Sequence, residues 1–319
     1  MGDQIHEALV AEINKKFQKN SVMVNTLADI LRIERGAVYR RLRQDVPFTF
    51  NEIVTISKNL NISLDNLVGV EKNRNVLFQM QLHNFTSPKD SDSQLLNTYV
   101  KFLRSLTKSN DSETASASNV LPHDLFNGFE YLLKFYLFVW NYHHNISKTK
   151  QFHEILITPA ISRFFDEYTI EMKNFNKTNY IFDNRLFRFF VDRVNYFNII
   201  RLIEKDDVLK IKEDLHSMLD YLEEIALNGR FKETGNAVNI YISDIDITTC
   251  YAYIGSKDFH LSLIKAFTLL YITSFDEQTF EKTKVEINTL IKISTLITLT
   301  NEKQRILFFE KQRNIINEL

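Results

Sequence analysis

Between Arg32 and Arg43 the chain carries five arginines (Arg32, Arg35, Arg40, Arg41, Arg43) against a single acid, Glu34. The whole chain of 319 residues has a formal net charge of -1, so this positive cluster is a local feature. A guanidinium fork holds phosphate oxygens, or reads a guanine edge with two parallel hydrogen bonds. Tyr39 adds a hydroxyl that can donate to a phosphate and a ring that can stack on a sugar or a thymine methyl. If Val38 and Leu42, four residues apart, face inward, then Arg35, Tyr39, Arg40 and Arg43 project largely outward. Gly36 in the same short helix costs roughly 1 kcal/mol relative to alanine. Close approach of its backbone to DNA is one gain that offsets this cost. The chemistry implied is binding of double-stranded DNA; the bland alternative is a solvated basic helix in an interaction domain.

The elements that must position these side chains are short helices. Leu27, Ala28, Leu31 and Ile33 place apolar residues along one helix and into the turn after it, and small Ala28 lets a second helix cross closely. Thr49-Phe50-Asn51-Glu52, just after Pro47, reads as a capping box opening a third helix, with Phe50, Ile53, Ile56 and Leu60 as its buried stripe. Ser63 is an N-cap candidate for a last short helix through Leu64 and Leu67. Ile5, Leu9, Ile13 and Phe17 give residues 3–19 the pattern of a first helix packed on the others. Helix, tight turn, helix and small supporting helices make the plan of a helix-turn-helix domain.

Residues 24–67 resemble the Cro/C1-type helix-turn-helix of phage repressors and many bacterial one-component regulators (XRE-like regulators). The run AVYRRLRQDVPFTFNEI is similar to the variant in BetR-like regulators, and ISLDNL to the closing helix of that superfamily. The resemblance covers about a fifth of the chain. It implies a transcription regulator whose recognition helix, about residues 34–43, lies in the major groove. The candidate DNA-contacting set is then Arg32, Arg35, Gly36, Ala37, Tyr39, Arg40, Arg41 and Arg43. The chain departs from the pattern twice: Arg32 stands where the turn usually carries glycine, and Glu34 where serine or threonine usually caps the recognition helix. A left-handed conformation at Arg32 costs on the order of 1 kcal/mol.

With 44% hydrophobic and 13% aromatic residues the chain supports folded cores, and its length suits one small and one larger domain. Seven glycines and four prolines leave little punctuation. The expected fold class is mainly α: an N-terminal helix-turn-helix bundle over 1–70 and a larger helical domain over 71–319 with a small antiparallel β element. That element is a hairpin near 237–254, VNIYIS and TTCYAYI around the link DIDI, joined by a strand over 76–82. The serine-rich run SNDSETASASN (109–119) reads as a hinge or exposed loop. Helices are expected at Leu95–Leu106, after Pro122, near Pro159, over 184–204, 207–228 and 256–273, and over 276–316 with an interruption near Ser294–Thr300. The stripe Phe126 to Trp140 reads as core ahead of a ligand cavity.

No catalytic constellation is found, so no enzyme, cofactor or metal is expected. His123, His143, His144, His153, His216 and His260 are scattered, Asp244 and Asp246 suit turn chemistry, and Asp206-Asp207 suits a helix cap. A lone cysteine, Cys250, excludes an intrachain disulfide and fits a reducing cytoplasm. Residues 1–10 lack the pattern of a signal peptide, and no apolar run is long enough for a bilayer, so no membrane partner is expected. The partners expected are double-stranded DNA and a second copy, held through 71–319, with Ile287, Leu290, Ile291 and Ile297 as candidate seam. That domain also has room for an unknown effector or protein partner. The competing readings are a protein-interaction module and an enzyme in 71–319 addressed to DNA.

Overall fold

The run that reads as a hinge is the middle of a β-sheet. In a computed structural model of the chain, residues 2–17, 19–60, 62, 64, 78–80, 90–126, 128–144, 150–257, 259–266 and 270–319 are described. They divide into two compact units, Met1–Leu77 and Phe78–Leu319.

The first unit is built from α1 (Gly2–Lys16), α2 (Asn20–Leu31), α3 (Arg35–Leu42) and α4 (Phe50–Leu60). Leu9 and Ile13 of α1, Met23, Val24 and Leu27 of α2, Val38 of α3, Phe48 and Ile56 of α4's approach and body form one buried cluster. Arg32 closes α2 in the left-handed conformation, φ 55° and ψ 43°, and both it and Ile33 donate their backbone N–H to Ala28 O. The capping box at α4 forms: Thr49 N–H donates to Glu52 Oε2 at 2.7 Å and Glu52 N–H to Thr49 Oγ1 at 3.3 Å. Phe50 does not join the buried stripe; it is 75% exposed at the first turn of α4. Ser63 and the segment to Leu67 lie outside the described residues, apart from half-buried Leu64.

The second unit overturns the mainly α expectation. It holds an eight-stranded mixed sheet, order β1-β7-β6-β5-β2-β3-β4-β8. The strands are β1 (Gln79–Met80), β2 (Glu113–Ser118), β3 (Lys177–Asp183), β4 (Ala237–Ser243), β5 (Tyr251–Ser256), β6 (Phe259–Lys265), β7 (Tyr271–Ser274) and β8 (Ser294–Leu296). Between them run α5 (Asp90–Leu106), α6 (Glu130–His144), α7 (Pro159–Lys173), α8 (Arg188–Ile199), α9 (Lys205–Asn228), α10 (Glu277–Lys292) and α11 (Glu302–Ile316). The architecture is α/β, with three central parallel strands, β2, β3 and β4, and antiparallel wings.

The expected hairpin does not exist. β4 and β5 are strands, but β4 pairs in parallel with β3 and β5 pairs with β2 and β6. Adjacency in sequence fails here because β2, read as a loop, and β3, a stretch given no element in the sequence reading, fill the space between them. The 256–273 helix is likewise two strands, β6 and β7. Of the 76–82 strand only Gln79 and Met80 are described as paired, with β7; residues 76, 77, 81 and 82 lie outside the described residues. The 276–316 stretch is two helices separated by β8, so the β-branched run Ser294–Thr300 does interrupt it. Asp206 and Asp207 lie in the first turn of α9 rather than at its cap, where Glu204 stands, and their charges still favour the helix N-terminus.

Small side chains explain β2. Ala115 and Ala117 are fully buried against Ile181, Tyr253, Phe280 and Ile287, so α10 packs on that face of the sheet. Closest approach comes at Gly255, where a Cβ would stand 2.5 Å from Phe280 Cζ. The opposite face alternates in register: Tyr180 and Phe182 of β3 and Val238, Ile240 and Ile242 of β4 meet the large core of α6, α8, α9 and α11. Phe126, Leu132, Leu133 and residues 135–140 belong to that packed core. Ile287 and Ile297, two residues of the expected dimer seam, are fully buried inside the unit, and Leu290 and Ile291 pack on the same interior. Among the described residues no helix is long and apolar enough to cross a membrane.

Candidate nucleic-acid interface

At about 100° per residue, Arg35, Gly36, Tyr39, Arg40 and Arg43 fall within one arc of roughly 140° on α3. All five are exposed. Fully buried Val38 lies on the far side, and half-buried Leu42 borders the arc next to Arg35. Gly36 sits near the middle of the basic arc, and nothing stands within 4 Å of where its Cβ would be. Arg32 is exposed in the turn just before. Among the described residues Arg32, Arg35, Arg40 and Arg43 make no salt bridge, so no described carboxylate compensates their charges.

Arg41 and Ala37 stand apart from that arc. Arg41 turns back onto the unit: its guanidinium meets Glu52 at 2.8 Å and 3.1 Å and donates to Ala37 O at 3.2 Å. Partial burial pushes the Glu52 carboxyl up, but hydrogen bonds from Arg41 and Thr49 outweigh it and hold the group below its ordinary 4.5. The carboxylate therefore serves twice, capping α4 and tying it to α3. Arg41→Ala is expected to cost the unit about 1–2 kcal/mol, read as a lower melting transition at pH 7. The depressed carboxyl sets the sign with pH: the contribution is present above 4.5 and fades as pH falls.

His6 is the residue that sequence reasoning missed. Buried on α1, it approaches Arg41 O with Nε2 at 2.8 Å, accepts Phe48 N–H at Nδ1 at 3.3 Å and stacks on the Phe48 ring. One imidazole thus pins α1 to the end of α3 and fixes the attitude of the basic face. Its partners lie 35 and 42 residues away, so no local pattern announces it.

Comparison with family models, with curated proteins and with solved structures finds no match to this chain.

A second cluster lies in the larger unit, where β2, β5 and β6 bring together the segments 118–124, Cys250 and Lys265. Lys265 Nζ lies 3.4 Å from His123 Nε2 and 5.4 Å from the centre of the Tyr136 ring. Burial, reinforced by the charge of Arg193 and partly offset by Cys250, brings the Lys265 amine down to about 8. Burial and then the Lys265 charge push His123 well below the usual histidine value. Neighbouring Asp124 is committed elsewhere, accepting the Tyr180 hydroxyl at 2.6 Å. Cys250 is held by Asn119 Oδ1 at 3.1 Å and Ser118 Oγ at 3.3 Å. Among the described residues Lys265, half-buried, has no carboxylate partner.

Proposed function

We propose that this chain is a sequence-specific DNA-binding transcription regulator of the cytoplasm. The observation that carries the reading is the face of α3: exposed arginines without internal partners, Tyr39 among them, and an unobstructed glycine at the centre. Such a face suits phosphate oxygens and major-groove base edges. Arg35, Tyr39, Arg40 and Arg43 contact DNA, Arg32 reaches phosphate from the turn, and Gly36 lets the backbone come close. Arg41 holds the face in position through Glu52. The larger unit serves dimerisation, effector sensing, or both, and no catalysis is assigned to it. Uncompensated charge on one helix favours DNA over the protein-interaction reading, because a protein-docking helix ordinarily presents apolar anchors.

Selection of genomic fragments by the full-length protein tests this. Recovery of a shared motif, in two half-sites about 34 Å apart, supports it; fragments without any shared motif contradict it. Gly36→Ala separates DNA contact from fold. It should leave the unit as stable or up to about 1 kcal/mol more so, while weakening DNA binding. Unchanged affinity would remove Gly36 from the interface.

A further inference from the structure

The exposed side of α8 is a seam without a lid. Phe189 is 46% exposed, Tyr196 49%, Ile199 77% and Ile200 40%, although the first three sit on a helix whose other side is core and Ile200 is its C-cap. Their spacing, i, i+7, i+10 and i+11, puts them on one stripe centred on Tyr196. About Tyr196, Asp192 lies roughly 40° to one side, between Tyr196 and Ile199, and Arg193 roughly 60° to the other, beyond Ile200; both are exposed. Asp192 has only a long 3.4 Å approach to Arg188, and among the described residues Arg193 has no ion-pair partner.

We propose that α8 is the homodimer interface, pairing in parallel with α8 of a second copy about a twofold axis along the two helices. Self-complementarity selects this occupant. In a parallel pair unlike flanks meet at equal height. Asp192 then faces Arg193 of the second copy, twice by symmetry, and Ile199 meets Ile200 of the second copy. Phe189 and Tyr196 stack on their own symmetry mates. An antiparallel pair brings like flanks together and leaves both charges unpaired. A partner of different sequence has no reason to match acid and base at adjacent positions on opposite flanks. The surface deepens the dimer reading given above and rests on it; it does not depend on DNA being the ligand.

The test is sedimentation of the full-length protein beside DNA binding to a single half-site. Wild type is expected to be dimeric at micromolar concentration, and Ile199→Asp to raise the dimer dissociation constant by at least roughly 30-fold. Because Ile199 is so exposed, that variant still folds: it keeps the wild-type circular dichroism spectrum and a cooperative melt, lowered only by the loss of dimer. Val285→Asp, at a 60% exposed position on α10, should leave the dimer intact. Asp192→Arg should weaken it, and the double change Asp192→Arg with Arg193→Asp should restore it, since the swap keeps opposite charges face to face. A monomeric wild type, or an Ile199→Asp protein as dimeric as wild type, overturns the proposal. If wild type dimerises through α8 but binds no DNA, the interface stands and the regulator reading falls. If it dimerises and Ile199→Asp has no effect, the dimer stands and α8 is the wrong surface.

Discussion

Val38→Asp eliminates the folding transition of the N-terminal unit while the transition of the larger unit persists. Val38 is fully buried between α3 and the Leu9–Leu27–Ile56 core, an apolar cluster. An unpaired buried charge costs about 3–5 kcal/mol. A unit of this size holds roughly 0.05–0.15 kcal/mol per residue, so the substitution removes most of its stability. Calorimetry of the full-length protein reads the result directly. A retained first transition would mean that α3 does not dock through Val38, and the basic arc assigned to its other side would rotate with it.

The opposite sign is expected at Lys265. Lys265→Met keeps the length of the stem and removes an ammonium that has His123 and an aromatic ring for company and no carboxylate among the described residues. The amine's folded value of about 8 lies below its ordinary 10.5, so folding disfavours the charged form. That penalty is complete below about pH 8 and disappears as pH rises toward 10.5. At pH 7 the variant should be more stable on the order of 2 kcal/mol, less than the full shift implies because the side chain stays partly exposed. Denaturant melts from pH 6.5 to 10 should show a constant gap at first, closing above about pH 8 as wild type catches up. Equal stabilities at pH 7, or a less stable variant, would show that Lys265 is compensated in a way its neighbours do not reveal.

What the sequence made legible was what local chemistry decides. The Thr49–Glu52 box, the start of α7 at Pro159 and the inward Val38 follow from spacing and side-chain type. The arginine cluster is visible for the same reason. What stayed hidden depends on tertiary packing. Apart from Glu113, β2 is made of threonine, alanine and serine, residues that suit a linker; Ala115 and Ala117 face α10, which packs closely over that side of the sheet and leaves no room for larger ones. Phe50 sits at a stripe position yet is exposed. The seam sought in α10 is the underside of the sheet layer, whereas the exposed apolar stripe lies on α8 among phenylalanines that alternate between core and surface. Arg41 is indistinguishable from its neighbours in the sequence, and only the fold brings Glu52, eleven residues on, round to hold it. His123 and Lys265 are 142 residues apart and meet only because β2 and β6 are both neighbours of β5.

Binding of DNA by the outer face of α3 is tested most directly by affinity for a selected site, measured against salt concentration for the full-length protein. Arg40→Ala with Arg43→Ala should lower affinity at least tenfold and make the log–log salt slope shallower by about 0.9 for each phosphate no longer neutralised. Arg41→Ala, held at a temperature where the unit is folded, should keep most of the slope. A folded Arg40→Ala/Arg43→Ala protein with wild-type affinity and wild-type slope would contradict the assignment.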